Sequence, residues 1–402
     1  MNMKVTSKRF FLTLSLLLII LSSNAQKANQ DGYKFELIKE VPNTPVKNQN
    51  RTGTCWAFSS MSFFESEMLR MGKPEVDLSE MFVVNNCYRD KAVKYVRMTG
   101  KTNFGGGGEP YDALYVLDNY GLAPENIYSG LKYGEDKHVH GEMDEVLLKM
   151  VEAVVENKNR KLTPVWDSAF NQTIDSYLGQ LPLSFEYKNK TYTPKSFASE
   201  YCGLKSDDYI QLTSFSHHPF YQQFILEVPD NWLWSSYYNV PLDELQEIVD
   251  YSLNKGYSVL WAADSSDKGF ATSQKGIAVV PDKIPANITG AEIAKWDSLS
   301  EKEKDAAIYK FDKPGKERVI TQEIRQLAFD NLETTDDHAM HIVGLAKDQN
   351  GTPYYKVKNS WGSYNSYKGY FYCSQPYFRY KTTSILINKA ALPDGIRKKL
   401  KL

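Results

Sequence analysis

At 402 residues the chain is long enough for two or three domains and an enclosed site, and too long for a peptide hormone or a lone zinc finger. Its 48 Lys+Arg against 49 Asp+Glu give none of the basic excess that binding to a phosphate backbone requires, and 42 % hydrophobic residues exclude wholesale disorder. Four cysteines and six histidines exclude a disulfide scaffold and leave a short inventory for thiol or imidazole chemistry.

Lys4, Lys8 and Arg9, the apolar run Phe10–Leu21 and the small residues Ser22-Ser23-Asn24-Ala25 form the three-part pattern of a secretory signal, with cleavage expected near Ala25. The run is too short to span a bilayer and no later segment approaches that length, so a soluble exported protein is expected. Loss of residues 1–25 would move the net charge from −1 to −4.

Residues 26–50 read as an extended polar arm. A helix is predicted to start at Cys55, because Ala57, Phe58, Met61, Phe64, Met68 and Leu69 recur at three- and four-residue steps before Gly72. Four glycines at 105–108 precede a predicted helix over 111–120. They lack the Lys and Ser/Thr of a phosphate-cradling loop, so close backbone packing or substrate access is expected of them. Helices are predicted over 143–158, 242–254, 301–309 and 321–331, and a buried strand over 257–263; 191–201 and 215–238 give no clear period. Ile342–Ala346 and Tyr354–Val357 flank Asn350-Gly351 and should pair as a hairpin centred on Gln349, which brings His338 opposite Ser360 and beside Asn359.

A cysteine on the first turn of a helix is favoured as thiolate by the free N–H groups and the positive end of the helix dipole. Cys55 has that setting, and Gln49 could aim an amide at the same helix end to complete an oxyanion hole with the Cys55 N–H. Cys87, Cys202 and Cys373 read as buried apolar residues. The histidines fall in pairs: 138/140 and 217/218 read as surface or loop residues. At 338/341 the odd spacing puts the two rings on opposite faces of a strand. Periodicity does not choose between them; the Asn359 partner favours His338, and no supporting ligand spacing suggests a metal.

The Gln49…Cys55-Trp56-Ala57-Phe58, Asp337-His338-Ala339-Met340 and Asn359-Ser360-Trp361-Gly362 segments resemble, in order, the three signature segments of papain-like cysteine peptidases. Leu78-Ser79-Glu80, Lys101-Thr102-Asn103-Phe104-Gly105-Gly106, Asn119-Tyr120-Gly121-Leu122 and the 283-residue gap from Cys55 to His338 are similar to the bleomycin hydrolase and aminopeptidase C branch. The resemblance implies an α+β, two-lobed papain-like fold with a helical lobe, a β-barrel-like lobe and a large, mainly helical insertion. It divides the chain into a signal peptide (1–25), a helical lobe with the catalytic Cys (26–125), an inserted region (126–235) and a β-rich lobe with the catalytic His, Asn and tail (236–402).

It further implies a peptidase with Cys55 as nucleophile, His338 as general base and acid, Asn359 as its orienter and Gln49 as oxyanion donor. Trp361 would shield the His338–Asn359 contact. Peptides or proteins are the implied substrates; no cofactor, metal, nucleic acid or stable membrane span is expected, and a homo-oligomer is, since related enzymes are hexamers. Those enzymes are mostly intracellular and end in an arm that enters the cleft and restricts them to trimming N-termini. Here an export signal precedes the lobes, and the chain past Lys389 reads as a shortened arm with a basic end, so both an aminopeptidase and an open-cleft endopeptidase are expectations. A transglutaminase-like acyl transfer is disfavoured by Gln49 and the Asn-Ser-Trp-Gly pattern, and a catalytically idle binding protein by the presence of Cys, His and Asn together.

Overall fold

The computed structural model describes residues 32–159, 161–283 and 290–402; the expected signal segment lies outside them. Among the described residues one sheet of ten strands dominates. Its order runs Gln223–Ile225, Ser236–Asn239, Tyr209–Thr213, Thr382–Asn388, Val259–Ala263, His338–Asp348, Pro353–Lys358, Tyr370–Ser374 and Ile277–Ala278. Two neighbouring pairs are parallel, Tyr209–Thr213 with Ser236–Asn239 and Tyr370–Ser374 with Ile277–Ala278; the rest are antiparallel.

The strand His338–Asp348 organises this sheet. Its first half pairs with Val259–Ala263, its second half with Phe35–Glu40, and its other edge with Pro353–Lys358. A strand hydrogen-bonded along both edges cannot shift without breaking two ladders. Phe35–Glu40 falls in the segment expected to be an extended arm. It shows little alternation, with Leu37 and Ile38 exposed, so its pairing with the His338 strand rather than its own pattern makes it β.

The hairpin forms, with its register displaced from the expected one. Paired positions sum to 700 at the turn, as in Tyr354 with Ala346, and to 699 past an irregularity at Lys356/Val357, as in Lys358 with His341. The turn is centred on Asn350, because Asp348 Oδ1 accepts from the N–H groups of Asn350 and Thr352 while Gly351 takes φ +85°.

A second layer of helices covers one part of the sheet. The Cys55–Arg70 helix is buried almost all round, and Glu80–Arg97, Pro110–Asn119, Gly141–Val155 and Val165–Leu178 pack with it in one apolar cluster. A second cluster joins the sheet to Leu242–Asn254 and Gln375–Lys381. The predicted helices appear with their ends shifted by one to three residues, and Leu242–Asn254 matches residue for residue.

His138 and His140, expected as surface or loop residues, lie in a loop that is buried. They are 8 % and 0 % exposed, held under the Gly141 helix start by the exchange of Arg51 N–H to His138 C=O and His140 N–H to Arg51 C=O. The polar segment around them misled because the strand-like bridge to Arg51 draws it inward. Burial pushes His140 down to about 3, and both ring nitrogens lack a partner among the described residues. A folded-state pKa below the unfolded value of 6.5 means that the unfolded chain binds more protons between those limits, so this stability is complete above pH 6.5 and is lost on acidification toward 3. His140→Phe should therefore lose less stability than the parent on moving from pH 7 to 4.5, the difference growing by about 1.4 kcal/mol per pH unit below about 6, as read by urea unfolding. Equal pH slopes would contradict it.

Candidate active site

Cys55 is the first residue of its helix, and Thr54 supplies no side-chain cap, so the free N–H groups of the first turn face the site. Cys55 is half-buried and lines a cleft of about 370 Å³. Gln49, Gly107, Gly108, Asp230, Asp336, His338 and Trp361 also line that cleft. All four residues singled out from sequence therefore meet here, three on the cleft wall and Asn359 directly behind His338.

His338 Nε2 lies 2.8 Å from Asn359 Oδ1, which also accepts from the Ser360 N–H, while Asn359 Nδ2 donates to Tyr364 Oη at 3.1 Å. With Asn359 Oδ1 as acceptor, the ring proton sits on Nε2 and the Nδ1 lone pair is left for a proton from Cys55. Trp361 stacks on the His338 ring at 4.9 Å between centroids and 27° between planes, covering the hydrogen bond. Gln49 is anchored by its backbone N–H to Ser360 C=O (2.8 Å) and by Ser360 Oγ donating to its Oε1 (2.5 Å). Its Nε2 gives one hydrogen to Thr52 C=O at 2.8 Å, leaving the second for the cleft. Sequence reasoning had not given Ser360 and Tyr364 these supporting roles.

His341 faces away from the cleft, as its odd spacing from His338 requires. There it receives the Ser62 hydroxyl at Nδ1 (2.9 Å), and Ser62 Oγ in turn accepts from Lys358 Nζ (2.7 Å), which also reaches Thr44. Ser62 shares the Cys55 helix, His341 the His338 strand, and Lys358 is the neighbour of Asn359. Burial pushes Lys358 down to about 8.

The glycine loop is close-packed and lines the cleft. Trp56 Nε1 donates to Gly106 C=O at 2.8 Å, a Cβ on Gly107 would overlap the Asp230 carboxylate, and one on Gly108 would press into Trp56 and Asp112. Asp230 belongs to a distant loop fixed by Trp232 Nε1 donating to buried Asp112 (2.7 Å) and by Asn103 donating to Asp230 Oδ1 (2.6 Å).

Burial pushes the Cys55 thiol up to about 12, against backbone hydrogen bonds from Ala339 and Trp56, and the carboxylates of Asp336 and Asp230 add to the rise. Burial likewise pushes His338 down to about 4, opposed by its bond to Asn359. Each charge alone is disfavoured in this cleft, so thiolate and imidazolium are supported only as a pair.

His217, His218 and Glu227 form the one metal-like cluster among the described residues. Gln326 Nε2 donates to His217 Nδ1, so the proton of that ring sits on Nε2, which donates to Glu227 (3.1 Å) and offers no lone pair to an ion.

The Peptidase C1-like family model matches residues 183–281 and 287–402, and the Papain family cysteine protease model matches 34–194. The chain is 22 % identical to Aminopeptidase C of Streptococcus thermophilus over 419 aligned residues, which cover 93 % of this chain and 86 % of that one. It is 22 % identical to Aminopeptidase W of Lactobacillus delbrueckii subsp. lactis, covering 90 % and 85 %. The fold is similar to that of PepW from Lactobacillus rhamnosis, with TM-score 0.64, 20 % identity, and 91 % and 84 % of the two chains covered.

Because Cys87, Cys202 and Cys373 are buried free thiols, iodoacetamide should alkylate the folded protein at Cys55 alone. Peptide mass spectrometry reads this; comparable labelling of any of the other three would contradict it. Asn359→Ala should slow that labelling by about tenfold or more, the order of effect expected when the partner that orients a catalytic or metal-bound histidine is removed.

Proposed function

We propose, for a chain that belongs to the Peptidase C1-like family and is a cysteine-type peptidase of the aminopeptidase C and bleomycin hydrolase kind, that Cys55, His338, Asn359 and Gln49 are its catalytic residues. The observation that carries this is the shared cleft of Cys55 and His338, with the imidazole held from behind by Asn359 at 2.8 Å. His338 Nδ1 takes the Cys55 proton as sulfur attacks the scissile carbonyl. The resulting oxyanion accepts hydrogen bonds from the Cys55 N–H and the free hydrogen of Gln49 Nε2. His338 then gives its proton to the leaving amine, and water activated by the same ring hydrolyses the thioester.

The relatives named above are aminopeptidases, which supports removal of N-terminal residues as the reaction. A second reading is cleavage within chains, supported by the placement of residues 389–402 away from the cleft. Leu392, Ile396 and Leu400 are buried in the cluster that holds the Leu242–Asn254 helix, Lys399 pairs with Glu244 at 2.6 Å, and none of residues 389–402 lines the cleft. Cleavage near Ala25 and export complete the proposal, on the pattern of residues 4–25.

Cys55→Ala should abolish hydrolysis of fluorogenic aminoacyl amides and of internally quenched peptides; unchanged hydrolysis would sink the assignment. Gln49→Ala should lower kcat by about 10²–10³ with little change in KM, the signature of a lost oxyanion donor. Free against N-acetylated substrates in the same assay separate the two readings: loss on acetylation identifies an aminopeptidase, and retained cleavage an endopeptidase. N-terminal sequencing of protein recovered outside the cytoplasm should begin near Gln26; a start at Met1 would contradict export with cleavage.

A further inference from the structure

The wall of the cleft beyond Cys55 carries charge of one sign. Asp230, Asp336 and Asp337 line it, and among the described residues no Lys or Arg does. Lys91 lies behind the glycine loop, 3 % exposed, with its ammonium given to the carbonyls of Gly105 and Gly107 and set against the rings of Trp56 and Trp232. It props the loop from behind.

A buried carboxyl supports the acidic wall. Glu109, 1 % exposed, accepts at Oε2 from Tyr237 Oη (2.9 Å) and Ser384 Oγ (3.5 Å). Its Oε1 and Asp336 Oδ2 are buried with no donor among the described residues, and the charge of Asp336 raises the Glu109 carboxyl further. Of two buried carboxyl groups that repel each other, one holds a proton. Burial pushes Glu109 well above the carboxylate range, so Glu109 holds that proton and Asp336 keeps its charge near neutral pH. Asp336 is thus an oriented anion at the cleft wall, backed by a neutral acid.

The direction of the substrate follows from the chemistry. The leaving amine must lie at His338, so the acyl portion extends along the opposite wall, over Gly107 and Gly108, where Asp230 rests against Gly107. We propose that the carboxylates of Asp230 and Asp336 select substrates bearing a cationic group on the acyl side of the scissile bond, an α-ammonium or a Lys or Arg side chain. This rests on the peptidase reading above and adds its substrate class. The same two carboxylates oppose thiolate formation at Cys55, so a cation bound between them also relieves the nucleophile of that repulsion.

The test compares four amide substrates at pH 7: alanyl, N-acetyl-alanyl, N-acetyl-arginyl-alanyl and N-acetyl-glutamyl-alanyl. At least one cationic substrate should exceed N-acetyl-alanyl by about tenfold or more in kcat/KM, the worth of one charge-assisted hydrogen bond, and the glutamyl substrate should be slowest. An advantage of alanyl assigns the cation to the α-ammonium, and an advantage of arginyl to the side chain. In the Asp230→Asn, Asp336→Asn double variant the ratios should collapse toward one while iodoacetamide alkylates Cys55 faster than in the parent, a gain that a misfolded variant would not show. Hydrolysis without charge discrimination, or discrimination kept by the double variant, overturns this inference alone. No hydrolysis of any substrate overturns the peptidase reading with it.

Discussion

The proposed catalytic arrangement depends on one buried junction, where the Ser62 hydroxyl accepts from Lys358 and donates to His341. These three side chains are 7 %, 4 % and 0 % exposed, so each would be costly to bury without the other two. Each also shares an element with, or adjoins, a residue of the proposed triad. Ser62 is two helical turns beyond Cys55, His341 is three residues beyond His338, and Lys358 precedes Asn359. The junction fixes a helix to two strands from opposite ends of the sequence, and the cleft forms where their ends converge. The ladders along both edges of the His338 strand supply the remaining rigidity. A site built in this way is held on a helix and a sheet, with loops contributing only Gln49, the glycines and Asp230.

Electrostatics set a second constraint on the cleft. Burial disfavours the thiolate and the imidazolium separately, and the acidic wall raises the thiol further. The favourable terms are the helix N-terminus, the backbone hydrogen bonds to sulfur and the attraction between the two charges once formed. An acidic wall beside a sulfur nucleophile is a cost in the free protein, and a ligand of opposite charge turns it into binding energy.

Much of this was legible in the residues, for physical reasons. Cys55 sits where apolar periodicity starts a helix, although Thr54 gives that helix no side-chain cap. The Asn-Gly turn brings His338 and Asn359 to one end of a hairpin, although the Asp348 hydrogen bonds centre the turn one residue later than spacing suggests. Elements that depend on distant partners were not legible. The Glu80–Arg97 helix buries Asn85, Asn86 and Lys91 inward, which erases an amphipathic pattern, and Val165–Leu178 buries only Phe170, Ile174 and Leu178. The inward turn of His138 and His140 follows from a bridge to Arg51, and Asp230 reaches the cleft only because Trp232 is tethered to Asp112. Family likeness and geometry meet at the Cys55, His338 and Asn359 segments, while the acidic wall is visible only once the chain is folded.

The central claim is that acyl transfer passes through sulfur at Cys55. Rapid quenching of the protein with an alanyl p-nitrophenyl ester, followed by tryptic mass spectrometry, tests it most directly. The account predicts an alanyl adduct on the peptide Thr52–Arg70, formed in step with the first burst of nitrophenol. A burst with no adduct on that peptide, or an adduct at another residue, would contradict it.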